Sequence, residues 1–182
     1  MFIKLPESAG KTPLPPVPVL AAKSGNESIG KTLFADKATC AKCHKVKGQG
    51  KEVGPDLSEI GSKLSKSAMY VAILDPSAAI THNYQSYLIE LDNGLVETGL
   101  LVNQTDESLT IKSAQGILKS FALTEVEAIE PSPVSLMPAD LQKLLTADEL
   151  IDVVEYLTTL KSGSQPAAEP SHLETGVSGN EP

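Results

Sequence analysis

Cys40, Cys43 and His44 stand in the order C-x-x-C-H, the thiols three residues apart and the imidazole four beyond the first. On a helical turn that spacing puts all three side chains on one face. Such a face can take the edge of a haem: the thiols add to its two vinyl groups as thioethers, and the imidazole Nε2 reaches the iron. These are the only cysteines in the chain, the number that one haem consumes. The same residues could form a redox dithiol, a disulfide or part of a zinc site. A dithiol of the thioredoxin kind needs a βαβ setting, and zinc needs a fourth ligand and an arrangement that does not force adjacent Cys43 and His44 onto one metal. The sequence supplies neither, so haem attachment is the reading adopted.

A second motif overlaps the same region. Gly25 to Thr32, "GNESIGKT", spells G-x-x-x-x-G-K-T, the pattern of a phosphate-cradling loop. That loop works when a buried parallel strand delivers it to a helix N-terminus. "VPVL" could be the strand and "YVAILD" the apolar run that ends in a magnesium-holding aspartate. The scaffold for a parallel sheet is missing, however, because the strand-like segments cluster together with hairpin-length turns between them.

The elements that must position C-x-x-C-H can be read from periodicity and caps. Asn26 precedes Ile29, Leu33 and Phe34 at helical spacing, and 65–75, "SKSAMYVAILD", is a second short helix stopped by Pro76. From Tyr84 to Ile129 the pattern changes to five short strands with tight turns, expected to form a meander or small barrel. Residues 146–160 form the clearest helix, with Thr146 and Glu149 as a capping box and an apolar stripe of Leu150, Val153, Val154, Leu157 and Leu160. The division expected is an extended proline-rich arm or linker over 1–24, a haem domain over 25–161 that contains a β-rich insertion over 84–130, and a disordered tail over 162–182.

Composition narrows the function classes. The 182 residues are 41% hydrophobic, enough for an ordinary core, while aromatics are only 4% and tryptophan is absent, a thinness that an apolar cofactor would help to fill. No run is long enough to span a membrane. Every basic residue is lysine, so the arginine forks used for phosphate and base recognition are lacking and nucleic acid is not an expected partner. The net charge of -8 is unevenly spread. Lys31, Lys37, Lys42, Lys45, Lys47 and Lys51 face a single acid, Asp36, whereas thirteen acids between Glu90 and Glu155 face only Lys112, Lys119 and Lys143. A basic face on an acidic body suits steered docking to an acidic protein partner, and it also suits two solvated faces that simply differ.

"GKTLFADKATCAKCHKV" from Gly30, "GPDL" at Gly54, "SLMP" at Ser135 and "DVVEYL" at Asp152 together resemble a class I c-type cytochrome in order and spacing. More closely, Gly30 to Leu160 is similar to the planctomycete-type haem-binding C-x-x-C-H domain, on the phrase "ILDPSAAITHNYQSYLIELDNGLVETG". The resemblance implies a mainly α cytochrome c fold carrying a small antiparallel β-rich insertion between the histidine and an axial methionine. It implies that Gly30 and Phe34 of the first helix cross Tyr156 and Leu157 of the last. One covalently attached haem c follows, with His44 as proximal ligand, Met137 opposite it, and a carbonyl at Pro55 accepting from His44 Nδ1. Met69, His82 and, remotely, His172 are the other sixth-ligand candidates; Leu57, Ile60, Leu64, Ile73 and Leu141 could border the macrocycle or belong to ordinary core.

The expected function is single-electron transfer, with no catalytic residues of its own, between an exported dehydrogenase, fused or associated, and a downstream acceptor. Covalent haem attachment places the protein in the periplasm or another exported setting, with a leader or upstream domain removed before Met1. Two other classes fit the same residues. A haem-based gas sensor would have a labile sixth ligand, and an interaction module would use the β-rich unit to hold a parent enzyme or a surface polymer.

Overall fold

The computed structural model describes residues 6–163, so the expected disorder beyond Gly163 and His172 lie outside the described residues. The proline-rich start is not extended throughout. Val17–Ala21 form a short helix, α1, with Pro18 in its first turn, where a missing N–H breaks no helical bond. Leu14 before it and Leu20 within it are 1% and 0% exposed, so this segment is part of the core.

The helices α2 (Glu27–Ala35), α3 (Ile60–Lys63), α4 (Lys66–Leu74) and α5 (Ala147–Thr159) form the helical body. Their starts are set locally. Asn26 Oδ1 accepts from the amides of Ser28 and Ile29, Ser65 Oγ accepts from Ala68, and Thr146 and Glu149 form the reciprocal capping box of α5. The central contact is the crossing of α2 over α5. A Cβ on Gly30 would lie 1.9 Å from the Asp152 carbonyl oxygen, so only glycine lets the backbones meet. One turn on, Phe34 meets Tyr156 edge-on with ring centroids 5.6 Å apart.

Carboxylates of α5 tie this crossing to its surroundings. Glu155 Oε2 accepts from the Gly25 amide at 3.1 Å and from Lys66 Nζ at 2.6 Å, and Glu149 accepts from Lys37 Nζ at 2.6 Å. The lysine partner, then the amide, holds each carboxyl below its ordinary value of 4.5. With folded pKa values depressed, the unfolded chain binds more protons below 4.5; the stabilisation is present above that value and lost as pH falls through the folded ones. Melting temperature is therefore expected to hold down to about pH 5 and then fall. Glu155→Gln should flatten that fall, and an unchanged acid slope would refute the assignment.

The first half of the chain also holds a two-stranded hairpin, β1 (Lys45–Val46) and β2 (Gln49–Gly50), turned by Lys47 and Gly48, both at positive φ. After α4 the chain builds a five-stranded antiparallel sheet from β3 (Ser86–Leu91), β4 (Val96–Gln104), β5 (Ser108–Lys112), β6 (Leu118–Ala122) and β7 (Val126–Pro131), in the order β6-β5-β4-β3-β7. It is not a simple meander, since the last strand pairs with the first. In a flat sheet β6 and β7 would be at least four strand spacings apart, about 19 Å. The four steps from Ala122 to Val126 reach at most about 14 Å, so the sheet must curl toward closure. Irregularities at Glu90/Leu91 and Leu101/Asn103 supply bends, and Gly99, whose Cβ would lie 2.7 Å from the Lys112 carbonyl, admits close strand approach.

The expectation of a mainly α fold is corrected here: the described residues are 35% helix and 23% strand. The helices are short, and the sheet has its own core of Ile89, Leu91, Leu109 and Ile111, apart from the helical cluster around Tyr70, Leu150, Val153 and Val154. Alternating apolar residues in "SYLIEL" and "SLTIK" bury one face of a curled sheet against itself, which makes it a second packed unit.

Candidate functional site

Residues Cys40–Lys42 form a single 3-10 turn entered through Thr39, which sits at φ 56°. The amides of Cys43 and His44 both donate to the Cys40 carbonyl, so the motif closes on itself as one tight turn. Its two thiols and the imidazole line one cleft of about 350 Å³, together with Thr39, Met137, Pro138 and Leu141. That volume is at the small end of the range for ligand sites.

His44 is 8% exposed. Its Nδ1 lies 2.8 Å from the Pro55 carbonyl oxygen; a carbonyl only accepts, so Nδ1 carries the proton and Nε2 keeps its lone pair. Burial lowers the His44 pKa below 6.5, partly opposed by the bond to Pro55, a shift that favours the neutral ring a metal ligand requires. The ring is also clamped by backbone. A Cβ on Gly54 would lie 2.6 Å from His44 Cε1, and the amides of Val53 and Gly54 donate to the Cys43 carbonyl.

The cysteines are free thiols, not a disulfide. Burial, with a smaller contribution from neighbouring Cys43, pushes Cys40 up to about 11 against a hydrogen bond with its own backbone. A dithiol that attacks at neutral pH needs the opposite shift. Nor, among the described residues, do three or more His, Cys, Asp or Glu side chains gather as a zinc site would require. The thiols, the Nδ1-protonated imidazole and the apolar cleft fit the chemistry of a covalently held haem.

The phosphate-loop pattern dissolves in the structure. The amides of Gly25 and Asn26, where an anion would sit, already donate to Glu155 and Asp152, and Gly30 serves the helix crossing. Repulsion between those carboxylates and a phosphate would add to the loss of donors.

Of the sixth-ligand candidates, Met137 borders the cleft, half-buried, its amide donating to Ser135 Oγ and the Ser135 amide to Ser77 Oγ. Met69 is 3% exposed within the helical core, and His82 is exposed beside β3. Leu141 lines the cleft, whereas Leu57, Ile60 and Ile73 pack on the helical core and Leu64 is 38% exposed. Sequence reasoning missed Ala114 and Gln115, which line the cleft from the turn between β5 and β6. The turn itself was readable from Gly116, but nothing local told where its tip would land.

Residues 28–91 match the family model described as Cytochrome c, a match that supports a c-type cytochrome domain. The matched segment runs from α2 through C-x-x-C-H to the end of β3; Met137 and α5 lie beyond it. No curated protein matches the chain. A cytochrome c domain implies covalently bound haem c, haem-based electron transfer and a redox partner, and such domains are typically exported. Among the described residues no helix is long and apolar enough to cross a membrane.

Proposed function

We propose that the chain is a single-haem electron carrier of an exported compartment, working between a dehydrogenase, fused or associated, and a downstream acceptor. The observation that carries this reading is the convergence of Cys40, Cys43, His44 and Met137 on one cleft while Pro55 holds His44 Nδ1. Cys40 and Cys43 would fix the haem as thioethers, His44 Nε2 would ligate the iron, and the Met137 thioether would close the opposite side. The bound haem supplies one-electron exchange. The protein's part is to hold the imidazole in one tautomer, exclude water and favour the ferrous state through a sulfur ligand. The division into a haem domain over 25–161 with a β-rich insertion over 84–130, as in the planctomycete-type domain, accords with the separate core of the sheet.

The mouth of the cleft suits an acidic partner. Lys37 and Lys45 are paired with carboxylates, but Lys42 and Lys51, which line the cleft, have none within reach among the described residues. If partners dock here, electron exchange slows as salt rises; a rate indifferent to salt would rule the surface out.

The decisive experiment is the visible spectrum of the reduced holoprotein with and without carbon monoxide. The wild type is expected to give a c-type spectrum that carbon monoxide leaves unmoved, and Met137→Ala to give one that shifts. A wild-type spectrum that already shifts would replace this reading with a gas-binding sensor.

A further inference from the structure

The turn joining β5 to β6 is built as a rigid tip. Ser113 and Ile117 close it, the Ser113 amide donating to the Ile117 carbonyl at 2.9 Å and the Gly116 amide to the Ser113 carbonyl at 2.9 Å. Ala114, Gln115 and Gly116 form the loop, with Gly116 at φ +81°, the left-handed position that ends a three-residue hairpin turn. Ser113 is buried although it sits at the end of a strand.

This tip rests against the cytochrome site at several points. The Ala114 carbonyl oxygen is 4.0 Å from Cys43 Sγ. Ala114 and Gln115 border the same cleft as His44 and Met137. A Cβ at Gly116 would come within 3.1 Å of Val53 Cγ2, so the tip abuts the loop that leads to Gly54 and Pro55. Lys112 Nζ, just before the tip, donates to the Glu52 carbonyl of that loop at 3.0 Å. The hairpin therefore touches both the C-x-x-C-H turn and the proximal loop.

We propose that the Ser113–Ile117 tip is a wall of the haem pocket, covering the thioether edge at Cys43, so that the sheet sets how far water and reductants reach the haem. The inference rests on the haem reading above. A carbonyl packed over a thioether edge keeps solvent from it, and exclusion of solvent disfavours the more highly charged ferric form. Retracting the tip lowers the reduction potential and opens the edge to small reductants. Ala114 and Gln115 are positioning residues here, since they touch the pocket without ligating the iron.

The test uses two holoprotein variants. In one, Ala114–Gln115–Gly116 is replaced by Asn–Gly, a two-residue hairpin turn that keeps the strands paired and draws the tip back. In the other, Ala114→Glu, the backbone is kept and a carboxylate placed at the edge. Covalent haem is first verified in each by mass; potential and the rate of reduction by ascorbate are then measured. The shortened turn is expected to be reduced several-fold faster and to have a lower potential, and Ala114→Glu to have a lower potential. If the shortened turn does not fold, Ala114→Glu decides. Haem present with both quantities unchanged overturns this proposal alone, whereas absence of covalent haem from the wild type overturns the haem reading and this proposal with it.

Discussion

Gly30→Ala is expected to destabilise the protein by about 3 kcal/mol or more, although alanine is the better helix former by roughly 1 kcal/mol. The added methyl would sit 1.9 Å from the Asp152 carbonyl oxygen and 3.0 Å from Tyr156 Cβ, and both obstacles are held in α5. Backbone cannot step aside as a flexible side chain can, so α2 and α5 must separate. Separation also loosens the edge-on contact of Phe34 with Tyr156 and the bonds from Asp152 and Glu155 to the start of α2. For a chain of this size the loss corresponds to a melting temperature lower by about 6–12 °C. A denaturant titration giving a midpoint equal to wild type would show that the helices do not cross there.

Gly54→Ala acts on the site where Gly30→Ala acts on the fold. Its methyl would lie 2.6 Å from His44 Cε1 and 2.9 Å from Nδ1, so either the ring or the loop must move. Moving either breaks the 2.8 Å bond between Nδ1 and the Pro55 carbonyl. Partners of this kind change metal affinity about 10- to 100-fold, and that is the expected weakening of His44 toward iron. The readout is growth of a high-spin component in the visible spectrum of the holoprotein, with covalent haem retained. A low-spin spectrum and a potential both equal to wild type would sink the prediction. Thermal stability alone does not decide it, because a merely structural loop would also soften.

What the sequence disclosed was local. Asn26, Ser65 and the Thr146/Glu149 pair cap helices through bonds spanning two or three residues, and each helix begins where its cap predicts. The strands were legible for the same reason, since alternation in "SYLIEL" and the turn residues "DNG" act over a few positions. Proximity in the chain likewise gathers Cys40, Cys43 and His44 on one turn. Val17–Ala21 escaped because Pro16 and Pro18 argue for extended chain, while the first turn of a helix tolerates them and burial of Leu20 decides the matter. The pairing of β7 with β3 and the landing of Ala114 beside Cys43 depend on how the sheet curls, and no short window of sequence encodes that. The mainly α expectation failed on the same ground: the strand segments were seen, but their capacity to close into a unit with its own core was not.

The sheet leaves the helical body and returns to it at one place. Tyr87 pairs with Pro131, the Ser132 amide donates to the Ser86 carbonyl at 2.8 Å, and Gln85 Nε2 donates to the Ser132 carbonyl at 2.6 Å. To the helices, everything between these residues is a loop whose ends are already stapled together. Closing such a loop costs entropy only with the logarithm of its length, about 0.6 kcal/mol per doubling. Strand lengths and sequences away from these contacts can therefore change at little expense to the α2–α5 crossing, whereas Lys112 and the tip after it, which reach back to the Glu52 carbonyl and to Cys43, are not free in this way.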